Sequence, residues 1–247
     1  MIPFFKSHYS IGKSILTLQE KGTAIEGGPQ SIIDLCLKNE IKSLHLVEDS
    51  MSGFLEGYIN AKSAKLDFRF GLRLNVCNDM FEKNEASLGK TSKVVIFANN
   101  KAGYKRLIKI FTSAAQKGFY YTPRTDYKTL ASFWDKRDLT LMVPFYDSFL
   151  YKNALCGSVC VPDFKFADPV FAEEENDIPF NYLIQKHLDR FVGDKYEKVK
   201  AKSVFYSRKE DFKAYLTFRC INNRSTLERP NLDHMTSNEF CLESWQG

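Results

Sequence analysis

The stretch Lys93-Val94-Val95-Ile96-Phe97-Ala98-Asn99-Asn100-Lys101-Ala102-Gly103-Tyr104-Lys105-Arg106-Leu107 carries two periodicities back to back. Residues 93–98 are a continuous apolar run rich in β-branched side chains, as a strand buried on both faces requires. After Asn99-Asn100 the spacing changes to that of a helix, with Tyr104, Leu107, Ile108 and Phe111 on its apolar face. A buried strand feeding an amphipathic helix is the building unit of α/β sheets.

The same unit recurs towards the N-terminus. Residues 31–39 put Ile32, Ile33, Leu35 and Leu37 on one helical side behind Ser31 as a candidate N-cap, and Ser43-Leu44-His45-Leu46-Val47 reads as a strand. Residues 53–65 return to helical spacing, and residues 67–76 alternate as a strand does. Such repeated units predict either a barrel or a doubly wound sheet. Towards the C-terminus, residues 180–192 read as a helix and 199–205 as a strand. Residues 209–220 read as a helix carrying Phe212, Tyr215, Leu216 and Arg219. Pro144, Pro162 and Pro169 break the stretch from 139 to 178, and its acidic run Glu173-Glu174-Glu175 reads as a solvated loop. With no internal repeat or low-complexity segment, residues 1–247 are expected to form a single domain.

Composition narrows the chemistry. A hydrophobic fraction of 44% and a charged fraction of 26% are those of an ordinary globular chain, which excludes disorder. The net charge of +5 is too small and dispersed to argue by itself for nucleic acid. The six cysteines (Cys36, Cys77, Cys156, Cys160, Cys220, Cys241) are scattered without a signal peptide, so free thiols in a reducing cytoplasm are expected. Cys156 and Cys160 have no second ligand pair at zinc spacing. No apolar run reaches the roughly 18 residues of a membrane span. There is no nucleophile elbow, phosphate-binding lysine loop or dinucleotide glycine motif. Only four histidines are present: His8, His45, His187 and His234.

Ordered segments along nearly the whole chain resemble the PHP (polymerase and histidinol phosphatase) domain that opens the bacterial DNA polymerase III alpha subunit. Ser7-His8-Tyr9-Ser10-Ile11 is similar to the family's opening segment. Residues 44–49 with 53–58, and residues 70–76, are similar to its second and third segments. More specific are Asn100-Lys101-Ala102-Gly103-Tyr104-Lys105-Arg106-Leu107, which resembles Asn-x-x-Gly-Tyr-x-x-Leu, and Gly118-Phe119-Tyr120-Tyr121-Thr122-Pro123-Arg124-Thr125-Asp126, which resembles Gly-Phe-Tyr-x-x-Pro-Arg-x-Asp. Residues 205–211, 216–221 and 239–242 are similar to the last strand, its helix and the segment leading out of the domain. The resemblance implies an α/β fold, a distorted TIM-like (β/α)7 barrel of the PHP type with parallel strands.

Active members hold a metal cluster on His, Asp and Glu, because phosphoester hydrolysis needs metal-activated water and cations facing the developing charge. Laid against this pattern, the His-x-His pair falls on Phe4 and Lys6, and the Asp-His pair on Glu48 and Asp49. The Glu falls on Arg73, and the Asp-x-His pair on Ser203 and Phe205. No other register supplies a His-x-His pair. Lys6 and Arg73 bring positive charge to ligand positions and are expected to pair with Glu48 and Asp49 instead, so no bound metal or cofactor is expected.

The resemblance therefore implies a free-standing, degenerate PHP-like pseudoenzyme of DNA replication. It would act as a non-catalytic scaffold or subunit for a DNA polymerase or another replisome protein, in the cytoplasm, or in the host cytoplasm if phage-encoded. Polymerase chemistry is excluded, since the resemblance stops before the family's polymerase portion and no Asp-x-Asp pair is present. The alternative is a divergent phosphoesterase or 3'-5' exonuclease using Mn2+ or Zn2+ on His8, Glu48, Asp49 and Asp79. The bland readings are packing for His8, a hydrogen bond or solvent for His45, and salt-bridged loop acids for Glu48 and Asp49. A third reading is a DNA-binding module. Lys101, Lys105, Arg106 and Lys109 cover one side of a helix, and Arg124 offers either a phosphate contact or a loop clamp. The Phe4-Phe5 and Phe119-Tyr120-Tyr121 clusters are candidate apolar contact surfaces.

Overall fold

The computed structural model describes residues 1–227 and 237–246. Helices follow most strands, as the sequence periodicity predicts. In chain order the elements are β1 (Ile2–Phe5), α1 (Ile32–Lys38), β2 (Ser43–Glu48), α2 (Phe54–Ser63), β3 (Asp67–Cys77), α3 (Glu85–Leu88) and β4 (Thr91–Ala98). Next come α4 (Lys101–Gln116), β5 (Arg124–Asp126), α5 (Tyr127–Phe133), β6 (Leu139–Val143) and α6 (Phe149–Leu155). The last are β7 (Val170–Glu173), α7 (Asn181–Val192), β8 (Glu197–Val204), α8 (Phe212–Asn223) and α9 (Glu243–Gln246). The hydrogen-bonded order is β2-β1-β8-β7-β6-β4-β3-β5, and β2 also pairs with β3. Seven strands thus close a circuit of pairings, with β5 attached to β3. This is the connectivity of an α/β barrel of the TIM-like type.

The chain divides into two compact units. The first contains Met1–Phe70, Glu174–Pro179 and Ala201–Gly247; the second contains Gly71–Glu173 and Phe180–Lys200. In the first, β1 lies parallel between β2 and β8, in the register Phe4 opposite His45 and Phe4 opposite Ser203. Strand alternation sends Phe5, Leu44, Leu46 and Val204 into the core, where each is fully buried. Ser31 caps α1 by accepting from the Ile33 N–H, and Ile32, Ile33, Leu35 and Cys36 form its buried face.

In the second unit one strand breaks the expectation of an all-parallel sheet. β4 runs antiparallel to both β3 and β6. Cys77 pairs with Thr91, so residues 78–90 turn the chain straight back instead of crossing over the sheet. Helix α4 buries Gly103, Leu107, Ile110, Ser113 and Ala114. The apolar face read from the sequence is therefore rotated, since Ile108 is 42% exposed and Ile110 takes the inner position. Gly103 explains the rotation, because a Cβ there would collide with the Asp138 carbonyl oxygen, so its bare face must turn inward. Each large apolar side chain fully buried contributes about 1.5–3 kcal/mol, which makes the rotation firm.

Two boundaries also move. A short 3-10 turn, Lys209–Asp211, precedes α8, so that helix begins three residues later than its periodicity suggests. The acidic run at 173–175 is not a solvated loop. β7 runs into it, and alternation turns Glu174 inside, where donors from Ser203 receive it. Phe4 and Phe5 are likewise buried and form core, not contact surface. All six cysteines are free thiols. No helix of the described residues is long and apolar enough to cross a membrane.

Candidate functional site

At the C-terminal ends of β1 and β2, Lys6 is 3% exposed. Its ammonium lies 3.1 Å from Asp49 Oδ1 and 3.5 Å from Ser10 Oγ. Lys13 Nζ closes on the other Asp49 oxygen at 2.8 Å. Glu48 is fully buried beside them. The Ser7 N–H donates to its Oε1 at 2.7 Å, and the Ser10 hydroxyl donates a short bond to its Oε2 while accepting from the Asp49 N–H at 3.0 Å. Burial pushes the Glu48 carboxyl above its ordinary range, and Lys6 with the serine donors opposes that shift. Four charged residues and two serines are thus locked into one network.

A second buried carboxylate sits in the same unit. Glu174 accepts from the Ser203 N–H (2.9 Å), the Ser203 hydroxyl (3.0 Å) and Asn176 Nδ2 (3.2 Å). Burial raises its pKa. Neighbouring Lys202 donates to the Glu175 carbonyl at 3.1 Å and lies 3.8 Å from Glu239, with its pKa lowered by burial. Phe205 is stacked between Tyr215 and Phe240, at centroid distances of 5.8 and 5.4 Å. Phe4 meets the His45 ring edge-on at 6.0 Å. In the second unit Arg73 Nη2 holds Asp147 Oδ2 at 2.8 Å, and Lys152 approaches the same carboxylate at 3.7 Å. The expected pairing of cations with acids is therefore met by Lys6 with Asp49. Arg73 takes Asp147, an acid that the sequence did not single out.

Of the fallback acid–imidazole set, Glu48 and Asp49 lie in the Lys6 network of the first unit. His8 is exposed and stacks on Tyr9 at 4.4 Å. Asp79, in the second unit, is exposed and accepts from the Phe81 N–H at 2.8 Å. His234 lies outside the described residues. Among the described residues no three His, Cys, Asp or Glu side chains converge in a way that could hold a metal ion.

Residues 26–152 match the model of the PHP domain, which is more than half of the chain. The chain belongs to the PHP domain family. DNA polymerase III subunit alpha of Borreliella burgdorferi is 26% identical over 220 residues, covering 79% of this chain and 18% of that protein. The chain thus spans less than a fifth of the length of the curated relative it matches.

Set against the PHP metal cluster, the residues present here do not fit such a group. An ammonium has no lone pair to donate, and Lys6 lies 3.1 Å from Asp49. A guanidinium cannot be deprotonated in a protein, and Arg73 is committed to Asp147. At the end of β8, Ser203 gives both its donors to Glu174, and Phe205, just beyond the strand, is part of an aromatic stack. A fixed cation beside a divalent ion would add repulsion to a missing ligand.

The basic residues separate into two groups. Arg124 is 1% exposed and donates to the Gly118 carbonyl, Ser87 Oγ and the Glu82 carbonyl, so it is a clamp inside the fold and not a surface phosphate contact. Gly118 is required beside it, because a Cβ there would strike the Arg124 carbonyl oxygen. This gives the Gly-Phe-Tyr-x-x-Pro-Arg motif a structural reason. Arg106 is likewise committed, to Asp138 at 2.8 Å, Asp135 at 3.3 Å and the Phe133 carbonyl at 2.9 Å. Lys101, Lys105 and Lys109 remain exposed on α4. Sequence reasoning missed Ser10, Lys13 and Glu174. The only available signals were the serines flanking His8 and the acid triplet at 173–175.

Proposed function

We propose that this PHP-domain chain is catalytically degenerate and acts in DNA replication as a non-catalytic scaffold or subunit for a DNA polymerase or another replisome protein. The observation that carries the reading is Lys6. At a position where the PHP pattern places an imidazole ligand stands a buried ammonium, 3.1 Å from Asp49. Such a pair consumes an acid that a metal would need and keeps a fixed positive charge beside it. The similarity to DNA polymerase III subunit alpha supports the replication context. Work in the cytoplasm, the host's if the gene is phage-borne, belongs to the same proposal.

Two measurements test it. After dialysis against Mn2+ or Zn2+, elemental analysis should find no stoichiometric metal, and the protein should hydrolyse neither single-stranded DNA nor a thymidine phosphodiester. Metal removable only by a chelator, with hydrolysis abolished by Asp49→Asn, would overturn the degenerate reading. For the scaffold role, the tagged chain should retain a polymerase alpha polypeptide that lacks a PHP domain of its own, and failure to retain any replisome component would remove that half.

A further inference from the structure

The outward face of α4 runs against the helix's own electrostatic interest. Lys101, Lys105 and Lys109 are exposed and spaced four residues apart, so they stack along one side at steps of about 6 Å. Like charges at this spacing destabilise a helix. Lys101 is moreover the first residue of α4, where the helix dipole disfavours a cation, and no acid occupies the first turn. The whole helix, KAGYKRLIKIFTSAAQ, contains no Asp or Glu. Arg106, the remaining cation, turns away to Asp135 and Asp138, and no carboxylate of the described residues forms a salt bridge with the three lysines.

Just beyond the helix the chain presents aromatic rings to water. Phe119 is 49% exposed and Tyr121 is 74% exposed. Tyr121 has a φ of +58°, a left-handed conformation that is costly for a bulky side chain, in a tight turn where the Tyr120 N–H donates to the Thr122 carbonyl. Tyr120 stays behind, with the Arg124 guanidinium 5.1 Å from its ring centroid.

We infer that this face binds single-stranded nucleic acid, with Lys101, Lys105 and Lys109 on the phosphates and the Tyr121 and Phe119 rings as stacking surfaces for bases. A row of cations suits a repeating polyanion. Exposed rings in the segment that follows the same helix favour unpaired bases over a lipid surface, because every base offers a π-face to an aromatic platform. The inference is independent of whether the metal site is degenerate.

The test uses the full chain and a fluorescein-labelled oligodeoxythymidine, followed by anisotropy from about 50 to 200 mM salt. Three phosphate contacts on a single strand predict a slope of log K against log salt near −2, from about −0.7 per contact. The triple variant K101Q/K105Q/K109Q should lose at least about tenfold in affinity and flatten the slope. Tyr121→Ala should weaken binding at least about fivefold while leaving the slope in place. Lys105→Arg should bind as the parent does, which guards against a variant that merely misfolds, and the triple variant should melt no lower than the parent. Absence of binding at low salt, or equal binding by the triple variant, overturns the inference. So does lysine-dependent capture by phosphatidylserine vesicles with none by the oligonucleotide.

Discussion

Lys6 and Asp49 form an ion pair of 3.1 Å in which the lysine side chain is 4% exposed and the aspartate 22% exposed. The asymmetry matters for energetics. Asp49 has a second cation in Lys13 and some access to water, whereas Lys6 is enclosed and depends on its buried acidic neighbours. Removing one partner of a fully buried pair costs about 3–5 kcal/mol, because the other is left charged in a poor solvent.

Asp49→Ala should therefore destabilise the chain by about 2–3 kcal/mol, below the fully buried figure because water reaches this edge. Lys13→Ala should cost less than about 1 kcal/mol, as its side chain is partly exposed to water and its pair is screened. Urea unfolding of both variants gives the comparison. A Lys13 effect as large as that of Asp49 would mean that the pair seen at Lys6 is not the one that matters.

Arg124 spreads its planar guanidinium over three acceptors on different segments. Lysine keeps the charge and loses the fork. Arg124→Lys should cost about 2–3 kcal/mol, since it leaves buried acceptors unsatisfied. Gly118→Ala should cost about 1–3 kcal/mol by overpacking against the Arg124 carbonyl. Because both changes loosen the same contact, their double variant should fall short of the sum. Full additivity in thermal or chemical unfolding would show that the two residues are uncoupled.

Glu174 makes a signed pH prediction. Burial raises its folded-state pKa above the ordinary 4.5, so the native state keeps the proton longer than the unfolded chain. Its contribution is fully present below about 4.5 and is lost as pH rises through the raised value. Glu174→Gln cannot ionise and escapes that loss. The difference in Tm, variant minus parent, should climb as pH rises above the ordinary carboxyl value of 4.5; Glu48, also raised, is common to both proteins and cancels. A flat or falling difference would mean that Glu174 is charged throughout.

Gly103→Ala should be more damaging than its helical position suggests. Alanine ordinarily improves a helix interior by roughly 1 kcal/mol over glycine. Here the added methyl meets the Asp138 carbonyl, and separating α4 from that backbone should reverse the sign to a loss of about 1–3 kcal/mol. A stabilised variant would contradict the contact.

Local periodicity was enough to place α1, β2, α2, the strand body of β3, and the β4–α4 pair, because each carries an unbroken apolar pattern of its own. It was not enough for β5 or β7, which are short and take their pairing from distant strands. The direction of β4 was hidden for the same reason, since nothing in residues 93–98 says whether the chain crosses over the sheet or turns back. The rotation of α4 depended on a carbonyl at Asp138, far along the chain from Gly103.

For the candidate site the division is sharper. The residue types of Phe4, Lys6, Arg73, Ser203 and Phe205 are legible in the sequence, and they decide that none of the five offers an imidazole or a carboxylate, because side-chain chemistry is set by identity alone. What each replacement does instead is a matter of neighbours brought together by folding. Lys6 with Asp49, Arg73 with Asp147, and Ser203 with Glu174 join residues that are 43, 74 and 29 positions apart. Hydrogen bonds and ion pairs act over a few ångströms of space, a distance that only the tertiary fold defines.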